Sequence, residues 1–330
     1  MQSNPILVQI VRGDMVESFF RGAYVVMDAS GQVIDAVGDI DRQIYPRSAL
    51  KPIQALGMMV SGAALAFQVS LPEIAMACAS HNGEDRHVNI VTHWLDRLGL
   101  SCDALECGIH TSMSKETALA FALEGRVLTP CHNACSGKHT GLLTLALHLK
   151  EPIADYTHFD HPVQRYVNNL IEEMIEIDVA VAPKGIDGCQ TPVIGMPLRN
   201  LAKGMAKMAQ PEILRPDLGK SAQKVVTAIQ KHPDLIAGTG RFCSAITQGS
   251  DGKILGKMDA DGVFTVILPE KGWGIALKID DGHLQAAEVA IMGILKKHRL
   301  LTDNPHWAQW ASPQTKTWNK QAVGEITFVG

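Results

Sequence analysis

The chain lacks the features that would tie it to a membrane or to a nucleic acid. No stretch approaches the ~18 consecutive apolar residues that span a bilayer, although hydrophobic residues fill 46% of its 330 positions. No lysine- or arginine-rich block occurs. Thirty basic residues stand against 34 acidic ones for a net charge of −4, which leaves no electrostatic footprint for nucleic acid or anionic lipid. Charged residues stop at 19%, below the ~25% usual in soluble proteins, so the balance predicts a large buried core and not disorder. Internal repeats, low-complexity tracts and obvious linkers are also missing. The opening "MQSNPILVQIVRGDM" holds a six-residue, largely apolar run before Arg12, too short and without the basic start of a secretory signal. Seven cysteines, an odd number scattered from Cys78 to Cys243, do not read as a disulfide framework. The expectation is a reduced, cytoplasmic protein in which Cys78, Cys102 and Cys107 are small buried filler.

What is present is a patterned α/β chain. "ILVQIV" and "AYVVMDASGQVIDAV" alternate as strands, the second turning near Ser30-Gly31. After Pro46 the pattern becomes helical, first as one long apolar helix through "ALKPIQALGMMVSGAALAF". It continues through "LPEIAMACAS", "EDRHVNIVTHWLDRLG", "KETALAFALEG", "HTGLLTLALHLK" and "HPVQRYVNNLIEEMIEI", with apolar residues three and four apart. Past Asp178 short strands ("VAVAPKGID", "TPVIGM") mix with the helix "LRNLAKGMAKMA". Next, "KILGKMDADGVFTVILPEKGWGIALKID" predicts consecutive strands, and "HLQAAEVAIMGILKKH" a closing helix. Strands at both ends of a helical middle predict one catalytic unit. Its sheet-containing part comes from about residues 1–50 and 180–300, a mainly helical part from 51–178 is inserted, and 301–330 forms a C-terminal tail.

Chemistry first surfaces in "YPRSALKPIQ". Ser48 and Lys51 are three residues apart, which on a helical turn places both side chains on one face. A neutral amine there takes the proton as the hydroxyl attacks a carbonyl. Such a lysine must fall about three units from its ordinary pKa, roughly 4 kcal/mol, through burial or a neighbouring positive charge. Ser112-Lys115, Ser221-Lys224 and Ser250-Lys253 share the spacing, but they sit in polar or turn contexts with ordinary capping explanations. Ser48 opens an apolar segment that would bury its lysine; the plainer alternative is an N-cap. A second concentration, "CHNACSGKHTG", packs Cys131, His132, Cys135, Lys138 and His139 into nine residues, with Cys189 of "GIDGCQTP" as a distant further thiolate. These residue types suit zinc, and lysine ligates as the neutral amine.

With "RSALKP", "ACASHNGE", "CGIH", "CSGKHTG", "GIDGC", "GTGRFC" and "GIALKIDDG" in this order between about residues 45 and 283, the chain resembles the rhizobial-type L-asparaginases, also called the asparaginase II family. The resemblance implies an α/β (α+β type) fold like those of serine β-lactamases and glutaminases: a central, mostly antiparallel sheet flanked by helices, with an inserted helical subdomain. It also implies hydrolysis of the side-chain amide of L-asparagine to L-aspartate and ammonia. Ser48 with Lys51 matches one Ser-Lys tandem; Ser80 matches the serine of a second, whose lysine is Lys257. Cys135, Lys138 and Cys189 match the zinc ligands, with water completing the shell and no organic cofactor. Arg47 and Asp187 match positions near the substrate, and Cys243 a cysteine lining the site. The family pattern has glycine and glutamate where this chain has Asp259 and Asp261, asparagine where it has Ala134, and a small residue where it has Gln190.

The expectation is therefore an asparaginase working through a serine acyl-enzyme, with Ser48 as the nucleophile and Lys51 as its base. Ser80 and Lys257 would relay protons, and a zinc ion (Zn2+) would be structural or substrate-positioning. Its partners are a small-molecule substrate and water, with no nucleic acid or membrane, and the resemblance implies a homodimer. The alternatives are a glutaminase or other small-amide hydrolase, or a non-catalytic, zinc-stabilised amino-acid-binding relative. A β-lactamase or peptidase fits less well, because the chain reads Lys257-Met258-Asp259 where those enzymes carry Lys-Ser/Thr-Gly.

Overall fold

The structure, a computed structural model, describes residues 3–301 and 307–330. Twelve strands are present among them: β1 (Ile6–Arg12), β2 (Met15–Asp28), β3 (Val33–Val37), β4 (Gln43–Ile44), β5 (Lys184–Ile186), β6 (Pro192–Ile194), β7 (Met196–Pro197), β8 (Leu255–Met258), β9 (Val263–Leu268), β10 (Trp273–Ile279), β11 (Gln314–Lys316) and β12 (Ala322–Phe328). Eight form one sheet in the order β11-β12-β1-β2-β10-β9-β8, with β3 on β2, and the neighbours within it are antiparallel. Two separate two-stranded sheets pair β4 with β7 and β5 with β6.

Local chemistry explains the turns. Between β2 and β3 the Asp28 carboxylate accepts the Ser30 and Gln32 N–H groups and Gly31 takes φ +96°, a left-handed geometry that glycine adopts without penalty. Strands β9 and β10 are buried almost throughout, as strands covered on both faces must be. The helix Leu198–Ala209 packs on β10, β2 and β9, and the helix Leu284–Lys297 on β12, β10 and β1. At Gly274 the first helix comes so close that a Cβ would collide with the Ala202 carbonyl oxygen.

Residues 51–178 contain helices and no strand among the described residues. At their centre the helix Ser136–Leu149 is buried on all sides over Ser136–Ala146. It meets the helix Leu71–Ala77 through Gly137, where a Cβ would strike the Met76 carbonyl oxygen. That contact brings Cys135 and Lys138 next to the 78–82 segment.

Three expectations change. The apolar run after Pro46 is not one long helix. It is a 3₁₀ turn (Arg47–Leu50) followed by short helices at Lys51–Gln54, Leu56–Val60 and Ala63–Ala66. Pro52 brings no N–H, Arg47 sits at φ +45° and Gly62 at φ +86°, and each interrupts a regular ladder. The segment read as a tail contributes β11 and β12, and β12 pairs with β1 from Val8↔Phe328 to Arg12↔Gly324; residues 302–306 of it lie outside the described residues. Finally, the cysteines are not all reduced. Cys102 and Cys131 form a disulfide, their Cα atoms 5.4 Å apart, because the turns at 102–104 and 130–132 pack together. The other five thiols are free and buried. Among the described residues no helix is long and apolar enough to cross a membrane.

Candidate active site

A cavity of about 190 Å³ opens where the edge strand β8, the 47–50 turn, the 187–191 loop and the start of the Ser136–Leu149 helix meet. Arg47, Ser48, Ser80, Cys135, Asp187 and Cys189 line it. It is smaller than the roughly 300–1,000 Å³ sites that take drug-sized ligands, so its occupant is small.

At its floor, Ser80 receives two lysines. Lys257 Nζ on β8 lies 2.9 Å from Ser80 Oγ, and Lys51 Nζ lies 3.1 Å from the same oxygen. Both amines are buried. Lys51 also donates to the Ala79 carbonyl and to Cys135 Sγ, the latter at 3.2 Å. Burial, and next the positive charge of Lys51, push Lys257 down to about 8. Lys51 makes no hydrogen bond to Ser48 Oγ among the described residues. Its partners are Ser80, Ala79 and Cys135. Ser48 lines the cavity instead, and its N–H donates to Asp259 Oδ1 at 3.2 Å. The Thr265 hydroxyl bridges Ala49 O and Lys257 O and so locks the Ser48 turn to β8.

The mouth is a guanidinium among carboxylates. Arg47 reaches Asp187 Oδ1 through Nε and Nη2, both at 2.9 Å, touches Asp261 through Nη1, and has Asp259 at 3.8 Å. Asp187 begins a tight loop closed by its own N–H to Thr191 O, with Gln190 at φ +71°. Burial holds the Asp259 carboxyl above its ordinary value although Arg47 pulls it down.

One wall is sulfur and nitrogen. Lys138 Nζ lies 3.1 Å from Cys189 Sγ and 2.6 Å from Thr191 Oγ1. The neighbouring Cys135, helped by the Lys138 ammonium, holds the Cys189 thiol well below its ordinary value, while the pairing with Cys189 and burial push Cys135 well above its own. Burial opposes the charge on Lys138, but the thiolates prevail and hold it above its ordinary value. Two soft sulfurs and an amine thus converge. Ligands on a tetrahedral zinc, at about 2.3 Å for sulfur and 2.0 Å for nitrogen, stand roughly 3.5 Å apart, close to the Lys138–Cys189 spacing. The donor set fits zinc once Lys138 yields its proton. Among the described residues no group of three or more His, Cys, Asp or Glu side chains is arranged for a metal; here the third donor is a lysine.

Cys243 lies behind this arrangement, fully buried on the helix Phe242–Gly249. It interacts with the Lys257 charge and is not part of the cavity wall. Sequence reasoning missed His110, Asn133 and Asp259 as lining residues. Asn133 donates to the Cys107 and Gly108 carbonyls and accepts the Cys135 N–H, and His110 Nε2 accepts the Ala134 N–H. Together they strap the 107–110 loop over Cys135. "CGIH" and "CHNAC" carried that signal only as neighbours of more reactive residues.

An antiparallel sheet backed by helices, with a serine flanked by two lysines at the edge of a small cavity, defines a mixed α/β protein. The family described as L-asparaginase II matches residues 8–328, and the chain belongs to it. It is accordingly an enzyme of the amidase type, acting on a small molecule with water. No curated protein sequence matches the chain. Among solved structures, a β-lactamase from Mycobacterium bovis aligns at 15% identity and a TM-score of 0.44, covering 84% of this chain and 94% of that one. The native form of Mglu aligns at 16% identity and 0.41, covering 91% and 66%. At those values neither speaks to what this chain does.

Proposed function

We propose that the protein is an L-asparaginase that opens the side-chain carboxamide through a serine ester, with Ser80 as nucleophile and Lys257 as its base. The observation that carries this reading is the convergence of two buried amines on one hydroxyl at the floor of a small cavity. With its pKa near 8, about a quarter of Lys257 is neutral at pH 7.5. It accepts the Ser80 proton as Oγ bonds the amide carbon. The C–N bond then breaks as the same proton passes to the leaving nitrogen, and ammonia departs. Water adds to the ester, giving its proton to Lys257, and Oγ leaves with a proton to free aspartate. Lys51 places positive charge beside the oxygen that becomes negative on the way. Arg47 offers a guanidinium to the substrate α-carboxylate and Asp187 a carboxylate to its ammonium, while the Ser48 hydroxyl faces the substrate from the wall.

Cys135, Lys138 and Cys189 would hold the zinc. Bound there, it supplies an electropositive, Lewis-acidic centre that orders the pocket.

The test is ammonia release from asparagine and glutamine by the purified protein, with acid-quenched samples mapped by mass spectrometry. Release from asparagine together with an aspartyl ester on the peptide containing Ser80 is the expected result. An ester on Ser48 would overturn the nucleophile, and preferred release from glutamine would make the enzyme a glutaminase. Ligand binding with no ammonia from either amide would leave an amino-acid-binding protein.

A further inference from the structure

The guanidinium at the mouth is already engaged by the chain's own carboxylates. Arg47 donates from Nε and Nη2 to Asp187 Oδ1, both at 2.9 Å, and from Nη1 to Asp261 Oδ2. Each of its three nitrogens therefore faces a carboxylate of the protein, and Asp259 stands 3.8 Å away as a further one. The backbone holds Asp261 to this position. Its N–H donates to Asp259 Oδ2 at 3.1 Å, and its carbonyl accepts the Lys278 ammonium at 2.7 Å. Gly262 then turns the chain at φ +69°, with the backbone of Gly282 packed against it. Asp259 is buried, and its Oδ1 accepts the Ser48 N–H, which ties the same turn to the cavity wall. The Asp261 side chain itself is 66% exposed, so it stands where the cavity opens to solvent.

A substrate α-carboxylate reaches Arg47 only in place of Asp261 or crowded beside it. The first exchanges one carboxylate for another and strips Asp261 of its partner; the second adds a like charge to those already there. Either way most of the gain from a charge-assisted bond is cancelled. The substrate ammonium meets less competition. Asp187 commits Oδ1 to Arg47 and to the Gly188 N–H, while its Oδ2 has the weak donor Cys189 Sγ at 3.5 Å.

We infer that the enzyme acts on ω-amides with a free α-ammonium and an α-carboxyl masked as an ester or amide, an asparagine at the start of a peptide included, about as well as on free asparagine, and that Asp261 sets this specificity. Asp261 stands on Arg47 where a free α-carboxylate would, and at that exposed rim a chain continuing from the masked carboxyl runs out into solvent. The inference rests on the amidohydrolase reading of the site and names its substrate class. The chemistry is confined to the side-chain amide: its C–N bond is cleaved by water to a carboxylate and ammonia, and the α-ester or α-amide stays intact.

The test measures kcat/KM for ammonia release from L-asparagine, L-asparagine methyl ester and N-acetyl-L-asparagine, using the full chain as parent and as Asp261→Asn. The parent should turn over the ester within about fivefold of asparagine, and N-acetylasparagine, which lacks the ammonium, at least about tenfold more slowly than the ester. Asp261→Asn keeps the shape of the side chain and opens Arg47 to a free carboxylate, so the asparagine-to-ester ratio should rise about tenfold. A merely structural role would slow both substrates alike and leave that ratio where it was. Asparagine favoured over the ester by more than about fivefold in the parent overturns the inference and leaves the asparaginase reading standing. A rise of less than about threefold in Asp261→Asn, or N-acetylasparagine within tenfold of the ester, overturns it as well. If none of the three compounds releases ammonia, the asparaginase reading falls, and calorimetric binding of asparagine and its methyl ester to the same two proteins decides the inference by the same ratios. Binding of neither overturns both.

Discussion

Replacing Lys51 by methionine separates its two conceivable roles. The side chain is buried and nearly the same length as lysine, so the change removes a charge with little change of shape. Lys51 and Lys257 each lie about 3 Å from Ser80 Oγ, so their nitrogens are within about 6 Å of each other. At an effective dielectric constant of ~20, two positive charges that far apart repel by roughly 3 kcal/mol, about two pKa units. Lys257 is depressed from 10.5 to about 8, with burial the first cause and Lys51 the second, so after screening the share of Lys51 is taken as about one pKa unit. The neutral, deprotonated amine is the active form, so kcat/KM rises with pH as Lys257 loses its proton. The parent should show a rising limb centred near pH 8, and Lys51→Met one centred near pH 9. Protonation alone then lowers kcat/KM about tenfold at pH 7.5, on top of a lower plateau from the lost oxyanion charge. The assay is ammonia release at low substrate between pH 6 and 10. A limb that stays at pH 8 would show that Lys51 does not set Lys257. Disappearance of the limb with all activity would make Lys51 the base, as its spacing from Ser48 first indicated.

Other consequences are simpler. Asp187→Asn removes a charged partner from Arg47 and from the substrate ammonium; charge-assisted hydrogen bonds are worth ~1.5–3 kcal/mol, so KM for asparagine should rise roughly 10- to 100-fold with kcat little changed. An equal fall in kcat would place Asp187 in the chemical step. The Cys102–Cys131 bond closes a loop of 29 residues in sequence separation, worth about 3–4 kcal/mol by chain entropy. Cys102→Ala should therefore lower the unfolding free energy by that amount in oxidised protein and hardly at all in protein kept reduced. Equal loss in both would mean that the thiol packs and does not cross-link.

The legible parts of this chain are local. The period of three and four in "LRNLAKGMAKMA" and "HLQAAEVAIMGILKKH" becomes the helices Leu198–Ala209 and Leu284–Lys297. The turn at Ser30-Gly31 joins β2 to β3, as the Asp-x-Ser-Gly chemistry requires. The "CSGKH" stretch places Cys135 and Lys138 on the first turn of one helix, and their side by side placement follows from spacing alone. The interruption after Pro46 was harder to see, because an apolar run reads as continuous until the backbone at Arg47 and Gly62 is known. The last strands escaped for another reason: Ala322–Phe328 is half-exposed, so its alternation is weak, and pairing with β1 and β11 holds it extended.

Sequence by itself determined the composition of the site: which serines, lysines and cysteines exist, which share a turn, and that the surroundings are apolar enough to bury them. Tertiary structure decided who meets whom. Lys51 lies three residues from Ser48, yet its amine rests on Ser80, 29 positions away, and Lys257 arrives at the same oxygen from 177 positions away. A lysine stem is long enough to serve either hydroxyl, so reach leaves the partner open. What closes the choice is where β8 and the 78–82 segment are fixed by packing around Gly137 and the Thr265 bridge, and no spacing within one segment encodes that.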